Sequence, residues 1–132
     1  MPRAGLPFEI QRPWLLVIAL YVGLIFFASS RPYLHAPGPE FQMKDKLAHA
    51  LEYGVLGWLM ARAARPAARV HPVVEVLWFV ALGAGIAGLD ELFQGTIPGR
   101  MKDVTDWMAD VTGLLVGAML ASTHARRKRK PA

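Results

Sequence analysis

The stretch PWLLVIALYVGLIFFASS at residues 13–30 carries no charged side chain over its whole length. A helix rises 1.5 Å per residue, so a stretch of this length reaches nearly across the ~30 Å hydrocarbon core of a bilayer. Three further apolar stretches of similar length follow at residues 47–64, 73–94 and 104–122. The sequence therefore predicts an all-α protein, built as a bundle of four transmembrane helices.

Turn-forming residues set the predicted limits of these helices. Proline and glycine recur in residues 31–44, and the run GTIPG at residues 95–99 makes a second break. A chain of 132 residues has room for one domain only. We predict a single domain over residues 1–132, with helices at about 13–30, 45–64, 73–94 and 103–122 and a basic tail at 124–132.

Composition excludes several classes of function. Without cysteine the chain has no disulfide framework, no thiolate nucleophile and no Cys-ligated zinc. The net charge of +5 comes largely from the run RRKRK at residues 126–130, which is typical of a nucleic-acid site or of the cytoplasmic flank of a membrane helix. Because the run directly follows an apolar stretch, we predict a flank and no nucleic-acid partner.

The distribution of basic residues predicts the orientation of the bundle. The N-terminal lead, the loop between helices 2 and 3 and the tail would share one side, and together they carry ten Lys and Arg residues. The other two loops carry five. The positive-inside rule then places both termini in the cytoplasm.

Polar and ionisable side chains gather at the opposite, outward end of the predicted bundle. Such groups are costly at a membrane boundary, so their collection at one level predicts a shared polar cleft. Within it we expect His49 and Arg100 to partner carboxylates, and Asp90 and Asp103 to be solvated only. The group comprises Asp45, His49, Glu52, Asp90, Glu91, Gln94, Arg100, Asp103, Asp106 and Asp110.

A purely structural interpretation of this group stays open. The carboxylates would then join helix ends by ion pairs, and Asp45 and Asp103 would cap helices, as Asp does at helix starts. His49 would be a buried histidine with a satisfied hydrogen bond. His49 and Glu52 also form half of a metal motif, but no third ligand is fixed, so we assign no metal and no cofactor. No nucleophile elbow is present.

Small residues recur at the four-residue spacing that lets membrane helices approach closely. In helix 3 they are accompanied by several further glycines, and in helix 4 they form a GxxxG pair. We therefore predict close helix packing at both places. The pairs are Ala81/Gly85, Ala84/Gly88 and Gly113/Gly117.

Two sequence blocks resemble the VanZ-like family of small bacterial membrane proteins. Residues 45–57, DKLAHALEYGVLG, are similar to its D-K-x-x-H-x-x-x-Y-x-x-L pattern. Residues 91–106, followed by Gly113, are similar to its second block, E-x-x-Q…P-G-R…D…G. The resemblance covers about residues 14–120. It departs at Asp110, where the family usually has Asn.

The resemblance implies a multi-pass protein of the bacterial inner (cytoplasmic) membrane and an association with resistance to teicoplanin, a glycopeptide with a fatty tail. We expect the cleft to act on, or to shield, a lipid-linked envelope component, so the expected partners are membrane lipids or a lipid-linked cell-wall intermediate. Proton transfer is assigned to His49 with Glu91 or Asp106. Ligand binding is assigned to Arg100, Gln94, Tyr53, Asp45, Asp110 and Lys46.

Three classes of function stay open on the sequence. The first is an enzyme, a hydrolase or transferase that acts on a lipid-linked phosphate-type substrate. The second is a binding or structural membrane protein that shields its ligand without turnover. The third is a proton- or ion-coupled element in which Asp106 and Asp110 form a relay, and four helices per chain would then need a homo-oligomer.

Overall fold

The computed structural model describes residues 8–32, 43–66 and 71–127, and in these ranges it is a bundle of four helices. Three of them, α1, α3 and α4, are long and apolar enough to cross a membrane. The all-helical architecture predicted from the sequence is confirmed to this extent. The helices are α1 (Arg12–Ser29), α2 (Lys44–Ala63), α3 (Pro72–Gln94) and α4 (Val104–Arg127).

The helix limits follow from ordinary start and stop signals. Proline occupies the first turn of both α1 and α3, where its missing N–H costs nothing. At the start of α3, His71 accepts a hydrogen bond from the backbone N–H of Val73 through its Nδ1 atom, at 3.4 Å. The observed limits of α1, α2 and α3 agree with the predicted ones to within one residue.

The end of α4 differs from the prediction. The helix continues to Arg127, so residues 124–127 of the predicted tail are helical. No proline or glycine interrupts residues 118–127. In addition, the Thr123 hydroxyl donates to the carbonyl groups of Met119 and Leu120, both at 3.0 Å, and so satisfies its polar group within the helix. The remaining residues of the tail lie outside the described ranges.

A short two-stranded ribbon, which the sequence did not predict, joins the beginning of α1 to the end of α2. Strand β1 (Phe8–Ile10) pairs antiparallel with β2 (Ala64–Pro66), and Glu9 lies opposite Arg65. The backbone N–H of Gln11 then donates to the carbonyl of Ala63 at 3.0 Å. The ribbon holds these two parts of the chain at one end of the bundle, the end opposite the N-terminus of α2.

Glycines let α2 and α4 approach each other at backbone distance. A Cβ atom on Gly113 would collide with the carbonyl of Ala50, and one on Gly117 would collide with the carbonyl of Gly54. The residue numbers rise together along both helices, so α2 and α4 run parallel. The predicted GxxxG contact is therefore confirmed, and among the described residues α2 and α4 pack more extensively than any other two elements.

The two small-residue pairs predicted in α3 differ in outcome: Ala84 and Gly88 lie against Trp107 of α4, whereas Ala81 and Gly85 do not make the predicted contact. Ala81 and Gly85 are exposed, and no described atom lies within 4 Å of a Cβ built on Gly85. The contact is made instead by Gly83, where a Cβ would collide with the Leu114 side chain, and by the Ala84 carbonyl, which accepts from Trp107 Nε1 at 3.1 Å. The Ala81/Gly85 pair thus makes no helix contact among the described residues.

The bundle buries one apolar core and exposes large apolar side chains around it. Tyr53, Leu56, Phe79 and Leu114 are fully buried at the centre. Helix α2 supplies much of this interior and also carries several charged residues. The exposed faces of α1, α3 and α4 are rich in leucine, as expected for helices in contact with lipid.

Replacing Gly113 by alanine tests the close approach of α2 and α4. The added methyl would meet a backbone carbonyl that cannot rotate away, so we expect the free energy of unfolding to fall by about 2 kcal/mol. The matched control is Gly85→Ala, which adds the same methyl in open space and gains up to about 1 kcal/mol of helix propensity. The measurement is unfolding of both variants in detergent micelles. Equal destabilisation by the two would contradict the packing.

Candidate functional site

The polar residues meet where α2 and α4 begin and α3 ends. We call this group the polar cluster. His49 and Lys46 come from the first two turns of α2, and Glu91 comes from the last turn of α3. Asp90 and Gln94 also come from the end of α3, and the N-terminal half of α4 and the loop before it supply the rest. The polar cluster comprises Lys46, His49, Asp90, Glu91, Gln94, Arg100, Asp103, Asp106 and Asp110.

His49 pairs most closely with Asp110. Its Nδ1 atom lies 2.9 Å from Asp110 Oδ1, while its Nε2 atom lies 3.9 Å from Asp106 Oδ2. The Asp110 side chain is 0% exposed and that of His49 is 14% exposed. The sequence predicted Glu91 or Asp106 as the proton-transfer partner of His49. Asp106 lies near its ring and Glu91 belongs to the same cluster, but the direct hydrogen bond is to Asp110, which the sequence analysis assigned to ligand binding.

Lys46 links the same two helices, α2 and α4, one turn nearer to their N-termini. Its Nζ atom donates to Asp106 Oδ1 at 2.7 Å, to Asp103 Oδ2 at 3.3 Å and to the hydroxyl of Thr105. An ammonium has three donors, so all three have protein acceptors. Lys46 would have to break one of these hydrogen bonds before it could bind a ligand.

Asp103 caps α4, as one interpretation of the sequence predicted. Its Oδ1 atom accepts hydrogen bonds from the N–H and the hydroxyl of Thr105, each at 2.7 Å. These two hydrogen bonds, with a further contribution from Lys46, lower the pKa of the Asp103 carboxyl. Thr105 was not among the predicted site residues, although its place two residues after a capping Asp is a usual one for such a contact.

A second hydrogen-bond network ties α1 and the loop before α4 to the end of α3. Gln94 Nε2 donates to Asp90 Oδ2 at 2.9 Å and to the hydroxyl of Ser29 at 3.4 Å. Arg100 donates from one terminal nitrogen to Gln94 Oε1 at 2.8 Å. Asp90 is only 1% exposed, so the expectation that it is merely solvated was wrong: the network draws it inside the bundle.

Several buried oxygen atoms of the cluster have no hydrogen-bond partner within the described part of the chain. Glu91 accepts from the backbone N–H of Asp103 through Oε2 at 3.0 Å, yet its Oε1 atom is unpaired. The same holds for Oδ1 of Asp90, Oδ2 of Asp110 and the hydroxyl of Tyr53. Buried polar atoms are nearly always paired, so this concentration of exceptions at one end of the bundle is unusual.

Three residues of the cluster offer ligand atoms at distances that suit a metal ion. One atom each from His49, Glu91 and Asp110 lie within 4.8 Å of one another. This group differs from the half motif noted in the sequence, because Glu52, the partner of His49 in that motif, is not one of its three residues. The prediction of no metal stays untested.

The other predicted site residues lie at the margins of this arrangement. Asp45 is exposed in the first turn of α2 and takes no part in the hydrogen bonds described above. Tyr53 is fully buried beneath the cluster, near the Asp90 carboxylate. The backbone carbonyl of Glu52 accepts from the hydroxyl of Tyr21 at 2.9 Å, a contact that attaches α1 to α2.

An open apolar groove of about 410 Å³ lies along α2 and α4, and its lining residues are distinct from those of the polar cluster. Ala50, which follows His49, and Thr112, which lies two residues after Asp110, are at its upper end. Trp58, Val116 and Leu120 line it further down.

Apolar helices around a buried polar cluster define the class of this molecule, a helical membrane protein. The family model described as VanZ/LLP1 matches residues 14–125, and the chain therefore belongs to the VanZ/LLP1 family. The resemblance found in the sequence is confirmed. No curated protein and no solved structure matches the chain.

Replacing Gln94 by leucine tests whether the second network stabilises the bundle. The change removes the hydrogen bonds to Asp90 and Ser29 and the acceptor of Arg100, and leaves buried polar atoms unpaired. We expect the free energy of unfolding in detergent to fall by about 2 kcal/mol or more. Thr96→Val, which removes an exposed hydroxyl at the same end of α3, serves as the control. Equal stability of the two variants would contradict the role of Gln94.

Proposed function

We propose that the protein acts on, or shields, an envelope compound that has a polar head and a lipid tail. The polar cluster would take the head and the α2–α4 groove would take the tail. The observation that carries this proposal is that α2 and α4, the two helices that hold His49 and Asp110, also line the groove, and that the end of the groove lies level with these two residues along the helix axes. A ligand with its head at the cluster would then lay its tail along the same pair of helices.

The groove suits an acyl chain by its shape and lining. From Ala50 to Trp58 it follows eight residues of helix, which is about 12 Å along the axis. Its walls are almost wholly apolar, and the glycines Gly54, Gly113 and Gly117 keep side chains out of its floor. A lipid tail lying there would contact protein on one side and neighbouring lipid on the other.

The cluster supplies the groups that a polar head would need. Arg100 already donates to a neutral amide oxygen, and a phosphate or carboxylate would be a stronger acceptor for a guanidinium. If turnover occurs, it is of the hydrolase or transferase type. Asp110 then holds His49 through Nδ1, and Nε2 is the atom that moves a proton toward or from the head.

A proton relay is the second candidate function. It is favoured by the position of His49 between two carboxylates, 2.9 Å from Asp110 and 3.9 Å from Asp106. Chains of carboxylates and histidines carry protons in membrane proteins. Proton flux into liposomes that contain the purified protein, and its loss in His49→Ala, would support this alternative over ligand binding.

Orientation is part of the proposal. We propose that α2 crosses the membrane as the fourth span, since it is 20 residues long against the 18 of α1 and its polar residues face the bundle interior or lie at its ends. Both termini would then be cytoplasmic, because the basic residues gather on that side. The polar cluster would face outward, where envelope intermediates with polar heads are exposed.

Blocking the groove tests the role of the lipid tail. In a glycopeptide-susceptible bacterium that expresses the chain, we expect reduced susceptibility to teicoplanin, and little change for a glycopeptide without a fatty tail. Val116→Trp should abolish the protection, because its indole would fill the groove. Met119→Trp, on the same helix and equally exposed at 51% but outside the groove, should retain it.

Substituting the cluster separates the candidate activities in the same assay. His49→Ala should abolish protection whether the head is bound or transformed, with the amount of protein in the membrane unchanged. Glu91→Gln should abolish protection by an enzyme and retain most of it in a binding protein, because the amide still accepts a hydrogen bond. Loss of membrane expression in every cluster variant would instead support a purely structural ion-pair network.

A further inference from the structure

We propose that His49, Glu91 and Asp110 form a binding site for one divalent metal ion. The three side chains come from three different helices, α2, α3 and α4. They converge one helical turn further into the bundle than the ion pair of Lys46 with Asp106. The site does not depend on the proposed lipid-linked ligand, because the ion is bound by side chains of this chain alone. It was not apparent from the sequence, since the third ligand depends on how α2 and α4 pack.

The spacing of the donor atoms is near that of a coordination sphere. One atom from each of the three residues lies within 4.8 Å of the other two. Ligands of a tetrahedral zinc ion, at 2.0–2.1 Å from the metal, are roughly 3.3 Å apart. Binding would require these side chains to close a difference of up to about 1.5 Å, and the ion would replace the hydrogen bond between His49 and Asp110.

Unpaired oxygen atoms are the second, independent sign of a ligand. Glu91 is 7% exposed and Asp110 is 0% exposed, and each has a carboxylate oxygen without a hydrogen-bond partner among the described residues. An ionised carboxylate in such surroundings is strongly unfavourable unless it is paired or coordinates a metal. A single cation between Glu91 and Asp110 would satisfy both.

The charges around the site also favour a cation. Lys46 directs its three donors to Asp103, Thr105 and Asp106, on the outer side of the cluster, and so leaves the inner carboxylates to other partners. Carboxyl groups outnumber basic side chains even if His49 is counted as charged. Among the described residues of this end of the bundle, the carboxyl groups are Asp45, Glu52, Asp90, Glu91, Asp103, Asp106 and Asp110, and the basic groups are Arg31, Lys44, Lys46, His49, Arg100 and Lys102.

The donor set identifies the class of ion. One imidazole nitrogen and two carboxylate oxygens suit Zn²⁺, Mn²⁺ or Fe²⁺, whereas Ca²⁺ takes six to eight oxygen ligands. Three protein ligands leave at least one coordination position open, as in catalytic zinc sites. That position could hold a water molecule or a phosphate oxygen. With the ion bound, His49 serves as a ligand and does not act as the base.

Metal titration of the purified full-length chain tests this site. After treatment with a chelator, the protein in detergent micelles is titrated with Zn²⁺ or Mn²⁺ alone and binding is followed by calorimetry. We expect one equivalent per chain. Loss of a residue that only hydrogen-bonds to a metal ligand costs roughly 10–100-fold in metal affinity, so removing a ligand by Asp110→Asn or Glu91→Gln should weaken binding by about tenfold or more.

The control is Glu75→Gln, which neutralises an equally buried carboxylate of α3 at the end of the helix away from the three ligands. It should keep the affinity within about threefold. The proposal is overturned if the wild-type chain shows no saturable binding up to about 1 mM ion. It is also overturned if Asp110→Asn and Glu91→Gln bind as tightly as the wild type.

Pulsed electron paramagnetic resonance of the Mn²⁺-loaded wild type keeps the proposal testable if the variants fail to fold. Coordination by His49 should give a coupling to one imidazole nitrogen. The coupling should disappear in His49→Asn and persist in His71→Asn, in which an exposed histidine at the other end of α3 is changed. Absence of nitrogen coupling in the wild type would overturn the site. Failure of the susceptibility assay with intact metal binding would contradict the proposed lipid-linked ligand only.

Discussion

The backbone contact between α2 and α4 is the constraint on which the rest of the structure depends. Glycine at positions 113 and 117 lets the two helices run parallel at a distance that no side chain would permit. Because they are parallel, equivalent turns stay level along the contact: Lys46 meets Asp106, and one turn further down His49 meets Asp110. The polar cluster is thus a consequence of helix packing at positions that carry no charge.

The two contacts between α2 and α4, Lys46 with Asp106 and His49 with Asp110, differ in what they can do. The Lys46 contact is partly exposed, and all three donors of Lys46 have acceptors. It therefore behaves as an ion-pair network that contributes modestly to the free energy of unfolding. The His49 contact with Asp110 is buried, and one carboxylate oxygen of Asp110 and one of the neighbouring Glu91 are unpaired among the described residues. Buried oxygens are rarely left unpaired in proteins, and this is the observation on which the proposed cation site rests.

Much of the fold and the membership of the site could be predicted from the sequence. Apolar length indicated the helices, and proline and glycine indicated their ends, so that α1 to α3 were located to within a residue. The end of α4 was misjudged because a run of basic residues changes polarity without breaking a helix. The β1–β2 ribbon was missed because strands of three residues carry no periodic signal, and their pairing spans more than fifty residues of chain.

The sequence by itself determined that the chain has apolar helices, that its charges segregate to the ends and that it belongs to one family, because these properties depend on the order of residues alone. Only the tertiary structure decided that Asp110 is the partner of His49, that Asp90 is buried and that α3 contacts its neighbours through Gly83 and not Gly85. Such choices depend on the rotation and crossing of helices about their axes. Residue spacing on one helix leaves that rotation undefined until a second helix packs against it.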